Sequence, residues 1–461
     1  MNDQTDQLRG TISHACTGES ETVAGRSEER QSSTMLNNDR HLTANLMARV
    51  CDLNNMREAF KQVKRNKGAA GVDGMTVEGL KAYLREHIEE VRTSLMEGIY
   101  RPQPVLGVKI PKPGGGERQL GIPTAIDRFN QQSIMQGLNP IFDPPFSESS
   151  YGFRPKRSAH QALKAASAYV KEGHIWVVDL DLEKFFDKVN HDILMSKLAK
   201  RIDDKVLLKL IRRYLKTGMM QDGLSVERQA GTPQGSPLSP LLSNIMLDEM
   251  DKELERRGHK FCRYADDCNI YVQSQRAGYR VMKSLTQLLE QGLQLKVNTV
   301  KSAVALVNQR KFLGYRLQKD GGLSIAPESL QRLKDKIREQ TKRNRGRKFE
   351  EILEELNRTL RGWLNYFKLS RARSTWTSLD SWIRRKLRCY RLKQRKKFWS
   401  IVTWLMQLGV HEADARKIGA SGKGWWRLAR TAALHRALDN KWFRKEGLLN
   451  LEEEWSKQVK A

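Results

Sequence analysis

Tyr264-Ala265-Asp266-Asp267 sits at the centre of a short hairpin pattern, and its reading decides that of the whole chain. Phe261, Tyr264, Ile270, Tyr271 and Val272 are strand formers on either side of Ala265-Asp266-Asp267, so two short strands with a tight connection are the natural local structure. Two adjacent carboxylates would then stand at the tip of a ribbon. Hard cations such as Mg²⁺ take oxygen ligands and are usually held by one or two protein carboxylates plus substrate phosphates. Two such ions about 3.5–4 Å apart can stabilise both the attacking and the leaving oxygen of an in-line phosphoryl displacement. A solvated Asp-Asp turn has the same local sequence, so the rest of the chain must separate the two.

Upstream, His174-Ile175-Trp176-Val177-Val178-Asp179-Leu180-Asp181 reads as a buried strand that acquires acid at its end, and Leu182-Glu183-Lys184-Phe185-Phe186-Asp187 as a turn into a helix. Asp179 and Asp181 share a face of that strand. Asp181 is also placed where a helix N-cap would stand.

The acid is conspicuous because the chain is basic. Its 461 residues carry a net charge of +29, which points to a polyanionic partner, nucleic acid before membrane surface. No segment approaches the roughly 18 uninterrupted apolar residues of a membrane span. Five cysteines, at 16, 51, 262, 268 and 389, are too scattered for a disulfide framework and fit a reducing, cytoplasmic interior, with association to the nucleoid open. Cys262 and Cys268 read as small core residues. Residues 1–40 are polar and aperiodic and are expected to be a disordered tail.

From His41 to about Arg101 the apolar spacing is helical, broken at residues 67–74. Strands and helices mix from there to residue 320. After Gly321-Gly322 the pattern is helical again, with Pro327 opening one helix, Phe349 to Phe367 tracing a second, and Leu379, Trp382, Ile383 and Leu387 a third. Residues 331–400 hold 23 basic and 7 acidic side chains, a net +16. Arg343, Arg345, Arg347 and Lys348, with Arg384, Arg385, Lys386 and Arg388, are the candidates for phosphate-backbone contact, whose affinity falls steeply with salt. Nine of the ten tryptophans lie at or beyond Trp363; core packing accounts for most, and stacking against bases stays open for Trp425-Trp426.

Asp181 with Phe186 five residues on, then Gln234-Gly235-Ser236-Pro237-Leu238-Ser239-Pro240, then Tyr264–Asp267, resembles the ordered motifs of a reverse transcriptase. In detail the chain resembles the group II intron-encoded reverse transcriptase/maturase family. Ile110-Pro111-Lys112-Pro113, Arg118 to Pro123, Tyr151-Gly152-Phe153-Arg154-Pro155, Phe312-Leu313-Gly314-Tyr315 and Leu360 to Phe367 match in the same order, from about residue 45 to the C-terminus. The resemblance implies an α+β right-hand polymerase, with fingers and palm at 41–320. An all-α thumb/maturase domain at 321–400 and a small helical DNA-binding region at 401–461 would follow.

The same resemblance implies roles. Asp181, Asp266 and Asp267 would hold two Mg²⁺ ions, and Asp179, two residues away, leaves a second register open that the spacing to Phe186 decides for Asp181. Phe186 would be the steric gate against a 2′-hydroxyl, Lys112 and Arg118 would hold the triphosphate, and Gln234-Gly235 would lie against template and nucleotide. Lys301 occupies the position of a lysine thought to protonate the pyrophosphate, and a surface lysine is the alternative. Expected partners are a group II intron RNA, an RNA template with its DNA primer, dNTPs and a DNA target, with no membrane.

Many members of the family end in an HNH-type endonuclease with paired cysteines, whereas no cysteine follows Cys389 here. No endonuclease domain is therefore expected, and a primer would come from elsewhere, such as a nascent strand at a replication fork. Two other readings stand beside this one. An RNA-binding splicing factor without polymerase activity is opposed by the complete set of site residues, and a polymerase recruited to DNA repair or phage defence by the helical segment after Pro327.

Overall fold

A computed structural model describes residue 43 and residues 45–111, 115–221, 224–226 and 230–460. Lys112 and the polar residues 1–40 lie outside the described residues. The strands among them, in chain order, are β1 (Val105–Pro111), β2 (Glu117–Ile122), β3 (Trp176–Leu180), β4 (Met219–Gln221) and β5 (Leu224–Val226), then β6 (Lys260–Tyr264), β7 (Asp267–Val272), β8 (Ala303–Leu306), β9 (Tyr315–Leu317) and β10 (Leu323–Ile325). The chain divides into two compact units, one of Met1–Phe146 with Lys184–Leu247, the other of Ser147–Glu183 with Asp248–Ala461.

In the first unit, helices Leu46–Val50, Leu53–Asn66 and Val77–Met96 fall where the apolar spacing predicts them. Asp52 caps the second by accepting from the backbone N–H groups of Asn54 and Asn55, and Lys67 ends it in the left-handed region at φ 47°. They pack around helix Ala125–Phe142, whose buried residues include polar ones on most faces. The sheet of this unit has the order β2-β1-β4-β5; β1 pairs antiparallel with β2 and parallel with β4.

The second unit is built on an antiparallel sheet of order β6-β7-β3-β8. Because side chains alternate along a strand, Val178 and Val272 face one side and Val177, Cys262 and Tyr271 the other. Helix Gln275–Gln287 covers the first side and approaches so closely that a Cβ on Gly278 would stand 2.4 Å from Val304 Cγ1. Helix Ala159–Lys171 covers the second, where the Cys262 thiol donates to Ala162 O at 3.4 Å. Both Cys262 and Cys268 are buried and free, as small core residues should be.

The second side of the sheet continues into one apolar core with helices Pro327–Gln340, Phe349–Phe367 and Arg373–Arg395 and those that follow. The expected boundaries at 320 and 400 are not where the compact units divide, because Val307, Phe312 and Tyr315 share this core with Leu333, Leu360 and Trp376. Gly314 marks the seam, with φ 79° and a missing Cβ that would lie 3.4 Å from Phe367. Far along the chain, Asp380 accepts from the N–H groups of Leu451 and Glu452, both at 3.0 Å, and so caps the last helix. Trp455 stacks on fully buried Trp376 at 6.1 Å and donates to Ser370 O at 3.1 Å. No helix among the described residues is long and apolar enough to cross a membrane.

Gly278→Val should lower thermal stability by about 1–3 kcal/mol, the range for overfilling a packed interior, whereas Gly292→Ala, with 3.7 Å to its nearest neighbour, should not. Melting curves of the two variants check this.

Candidate active site

The β6–β7 register sets Tyr264 opposite Asp267, so Ala265 and Asp266 are the two central residues of a hairpin turn. Ala265 takes φ 60°, and a positive φ at the first central position is the mark of a type II′ turn, usually filled by glycine. An alanine there is strained by roughly 1 kcal/mol, so its surroundings must hold it. They do so from two directions. Gly152 packs so tightly that a Cβ on it would stand 2.2 Å from Ala265 N, and the Arg263 guanidinium donates to Ala265 O at 3.0 Å.

Arg263 is fully buried, as is its partner Asp251 on helix Ser239–Arg256. The guanidinium meets both carboxylate oxygens, Nε to Oδ1 at 2.7 Å and Nη2 to Oδ2 at 2.6 Å, and also donates to Ser150 Oγ at 2.7 Å. Burial pushes the Asp251 carboxyl upward and Arg263 opposes it. The backbone joins in, with Arg263 N donating to Ser149 O and Tyr151 N to Arg263 O. Neither Arg263 nor Asp251 was singled out from the sequence. The one signal was an arginine inside the strand run Phe261–Tyr264, where a solvated charge would break the pattern.

β3 brings the third carboxylate. It pairs with β7 up to Leu180 opposite Cys268, and extending that register by one residue sets Asp181 opposite Asp267. Asp181 does not cap a helix; the next helix, Phe185–Lys188, has Lys184 at its N-cap position. Its backbone is instead clamped by the loop that follows, with Asn298 N donating to Asp181 O at 2.9 Å and Asp181 N to Ser302 Oγ at 3.0 Å. That loop is closed by Asn298 Oδ1 accepting from Lys301 N, and it delivers Lys301 Nζ to 3.5 Å from Asp181 Oδ1.

The two neighbouring acids of β3 have different partners. Asp179 is engaged by Arg310 at 2.6 Å, while burial pushes its carboxyl upward. Asp267 keeps an exposed edge, yet desolvation by the protein around it raises its carboxyl to about 6, with repulsion from Asp266, Asp179 and Asp181 adding to this and Lys301 opposing it. Four carboxylates thus stand near one edge of the sheet, with Arg310 and Lys301 offsetting part of their repulsion. Among the described residues no three His, Cys, Asp or Glu side chains converge into a ready metal cage. Mg²⁺ needs no such cage, since it keeps waters and completes its shell with substrate phosphates, so an all-carboxylate cluster in excess of negative charge fits it.

The first unit gathers the other expected groups. Arg118 stands exposed on β2, opposite Ile110. At the end of that strand Gly121 N donates to Gln234 O at 2.9 Å, and Gly235, at φ 113°, lies so close to Gly121 O that a Cβ would stand 2.9 Å from it. Only glycine suits that position. The helix after this loop starts at Ser239, with Pro240 in its first turn. Thr232 N donates to Phe186 O at 2.6 Å, which ties the same loop to the Phe185–Lys188 helix. Phe185 is buried and Phe186 half-buried, its ring edge-on to Phe185 at 5.2 Å.

The basic candidates of the C-terminal helices separate into kinds. Arg345 and Arg347 reach Glu355, and Arg347 also reaches Glu351 at 3.2 Å. Arg388 departs from the expectation of a phosphate contact: it is buried, donates to Leu438 O at 2.7 and 3.1 Å, and is pushed down to about 10 by burial. Its charge serves a helix end. Arg384 is half-buried, and burial lowers it along with Arg385 and Lys386. Arg385 stacks on the ring of Trp426 at 3.7 Å. Arg343 and Lys348 are exposed, and Arg343 and Lys386 join Arg338, Lys342, Lys393 and Trp425 around a cleft of about 530 Å³ with no acidic lining. Trp376 is core, Trp363 packs edge-on against it at 5.4 Å, and Trp426 remains exposed.

Residues 110–317 match the family described as reverse transcriptase (RNA-dependent DNA polymerase), and residues 330–407 match the group II intron, maturase-specific domain. Protein YkfC of Escherichia coli is 34% identical over 303 residues, covering 57% of this chain and 80% of that protein. Group II intron-encoded protein LtrA of Lactococcus lactis is 36% identical over 206 residues, which is 44% of this chain and 34% of LtrA; the match thus spans about a third of that relative. Among solved structures, the partial Cas6-RT-Cas1--Cas2 complex is 26% identical over 53% of this chain and 42% of its own, with a TM-score of 0.35.

Replacing Asp251 with Asn would leave the Arg263 guanidinium buried without a counter-charge, a change that typically costs about 3–5 kcal/mol. Ser150→Ala removes a single hydrogen bond from the same group and should cost about 1 kcal/mol. Thermal unfolding of the two variants should rank them in that order.

Proposed function

Because the chain belongs to the group II intron-encoded reverse transcriptase and maturase family, we propose that it is an RNA-directed DNA polymerase that also binds a group II intron RNA to assist splicing and mobility. The observation that supports the catalytic part is the strand register, which sets Asp181 across from Asp267 and beside the turn residue Asp266 at one sheet edge, with Lys301 at 3.5 Å from Asp181. In this reading the second unit's sheet is the palm, the strands around Arg118 and Gly235 belong to the fingers, and the helices from Pro327 are thumb and maturase domain. Residues 401–461 are the DNA-binding region.

Each residue then has a task. Asp181, Asp266 and Asp267 would hold Mg²⁺, which when bound supplies charge stabilisation to the attacking and leaving oxygens. Clamped at its backbone, Asp181 has its carboxylate directed by the Asn298–Ser302 loop, and the same loop sets Lys301 to donate a proton to departing pyrophosphate. Arg118, with Lys112, would bind the triphosphate of a dNTP through charge-assisted bonds. Gln234-Gly235 offers backbone without a side chain in the way, as an approaching template-paired base requires. Phe186, half-buried and braced by Phe185, presents a ring that a 2′-hydroxyl would strike. The acid-free cleft around Lys342, Arg343 and Lys386 suits a phosphate backbone and is where intron RNA would be gripped. RNA template, DNA primer and DNA target complete the set of partners.

In primer extension on an RNA template with Mg²⁺, Asp266→Ala should lose activity by at least about 100-fold, the scale of removing a preorganised electrostatic group. A fully active variant would remove the carboxylate cluster from catalysis. Phe186→Ala should raise ribonucleotide incorporation by about tenfold or more, as the loss of one steric contact in a pocket allows, and unchanged selectivity would remove Phe186 as the gate.

A further inference from the structure

Helix Lys205–Lys216 has the sequence KVLLKLIRRYLK, with five basic residues and no acid. Leu207, Leu210, Ile211, Tyr214 and Leu215 bury one side. Lys205, Lys209, Arg212 and Lys216 recur at steps of four, three and four, which puts them in one stripe along the other. The stripe is about 16 Å long at a rise of 1.5 Å per residue.

Elsewhere in this molecule, several exposed basic residues on helices have an acid in the same helix. Arg256 and Arg257 share Glu253, Lys252 has Asp248, Arg416 has Glu412 and Lys457 has Glu454. Among the described residues, the Lys205–Lys216 helix has one ion pair, Arg212 with Asp192 at 2.5 Å from the preceding helix, while Asp204 stands at its N-cap. Like charges three and four residues apart destabilise a helix, and Lys205 at its N-terminus opposes the macrodipole as well. This repulsion is retained in the fold rather than neutralised.

The stripe forms a wall of a cleft. Arg101, Pro102 and Pro104 stand across from Lys209, Arg212, Arg213 and Lys216, enclosing about 610 Å³ with no acidic residue in the lining. Both walls are fixed. Val105 N donates to Gly218 O at 2.9 Å, and β1 runs parallel to β4 from that point. The Arg213 guanidinium bridges to Tyr100 O at 3.0 Å. The cleft is therefore held open with its cations in place before any ligand arrives, which lowers the ordering cost of binding.

We propose that this cleft and stripe bind the phosphodiester backbone of a nucleic-acid strand, as a contact separate from both the carboxylate cluster and the C-terminal basic cleft. The contact reads charge and spacing, because phosphate oxygens, which carry no sequence information, are the groups its lysine and arginine heads would meet. It does not depend on polymerase chemistry.

The test uses the full chain without Mg²⁺ or nucleotides, so that its failure is distinct from failure of the catalytic reading. Binding of labelled single-stranded RNA, and of DNA with the same sequence, is measured by fluorescence anisotropy across a salt series. For a single strand each lost phosphate contact should flatten the plot of log affinity against log salt by about 0.7. Lys209→Gln with Lys216→Gln should therefore reduce the slope by about 1.4, and Lys209→Arg with Lys216→Arg should preserve it. Arg101→Gln, on the opposite wall and outside the helix, should reduce it by about 0.7 and reads the cleft even if the double variant is unstable. Loss of slope with RNA, with DNA or with both supports the proposal. Unchanged slopes in the Gln variants would overturn it, and so would full displacement of the strand by inorganic phosphate at equal ionic strength, which would mark a small-anion pocket.

Discussion

A fully buried guanidinium, Arg263, holds the geometry of the carboxylate edge in place. Burying an arginine and an aspartate together costs several kcal/mol of hydration, and the attraction between them repays this only with close geometry and further hydrogen bonds. Here both conditions are met, through Asp251, Ser150 and Ala265 O. What the arrangement achieves is position. One planar group connects a helix, the loop before Gly152 and the strained turn at Ala265, so the tip bearing Asp266 cannot shift without breaking bonds to all three. Gly152 then closes the turn from the outside, where any side chain would collide with the backbone of Ala265.

Around that fixed tip the electrostatics are arranged by pairing. Asp179 and Asp181 leave the same face of one strand, yet Arg310 engages the first at 2.6 Å, while Lys301 stands 3.5 Å from the second. The ion pair at Asp179 lends rigidity and local positive charge. At Asp267 desolvation first, and repulsion from Asp266, Asp179 and Asp181 second, raise the carboxyl. A chain with net charge +29 that concentrates acid at one place builds its own sink for cations, in a field that otherwise favours polyanions.

Much of this was legible in the sequence because strand alternation, turn chemistry and helical spacing are local. The hairpin, the strand ending at Asp181, the helix opening at Pro327 and the buried Cys262 and Cys268 all follow from neighbours within a few residues. Long-range bonds were not legible. Arg388 read as a phosphate-binding charge and Arg263 as no more than part of a strand, since nothing near them in sequence announces the Leu438 carbonyl or Asp251. The compact units cross the expected boundaries at 320 and 400 for the same reason, because a shared core is a property of contacts and not of composition.

The cap that Asp380 places on the last helix has a consequence for how the chain is made. Asp380 and its partner Leu451 N are 71 residues apart, and Trp376 finds its stacking partner only in Trp455. During synthesis the strands bearing the carboxylates leave the ribosome well before the residues that seal the core beneath them. Domains generally fold as units while they emerge, and this one cannot finish until its final helix is free. Its apolar interior stays open until Leu451 and Trp455 have emerged to meet Asp380 and Trp376, so the core beneath the sheet is sealed late in synthesis.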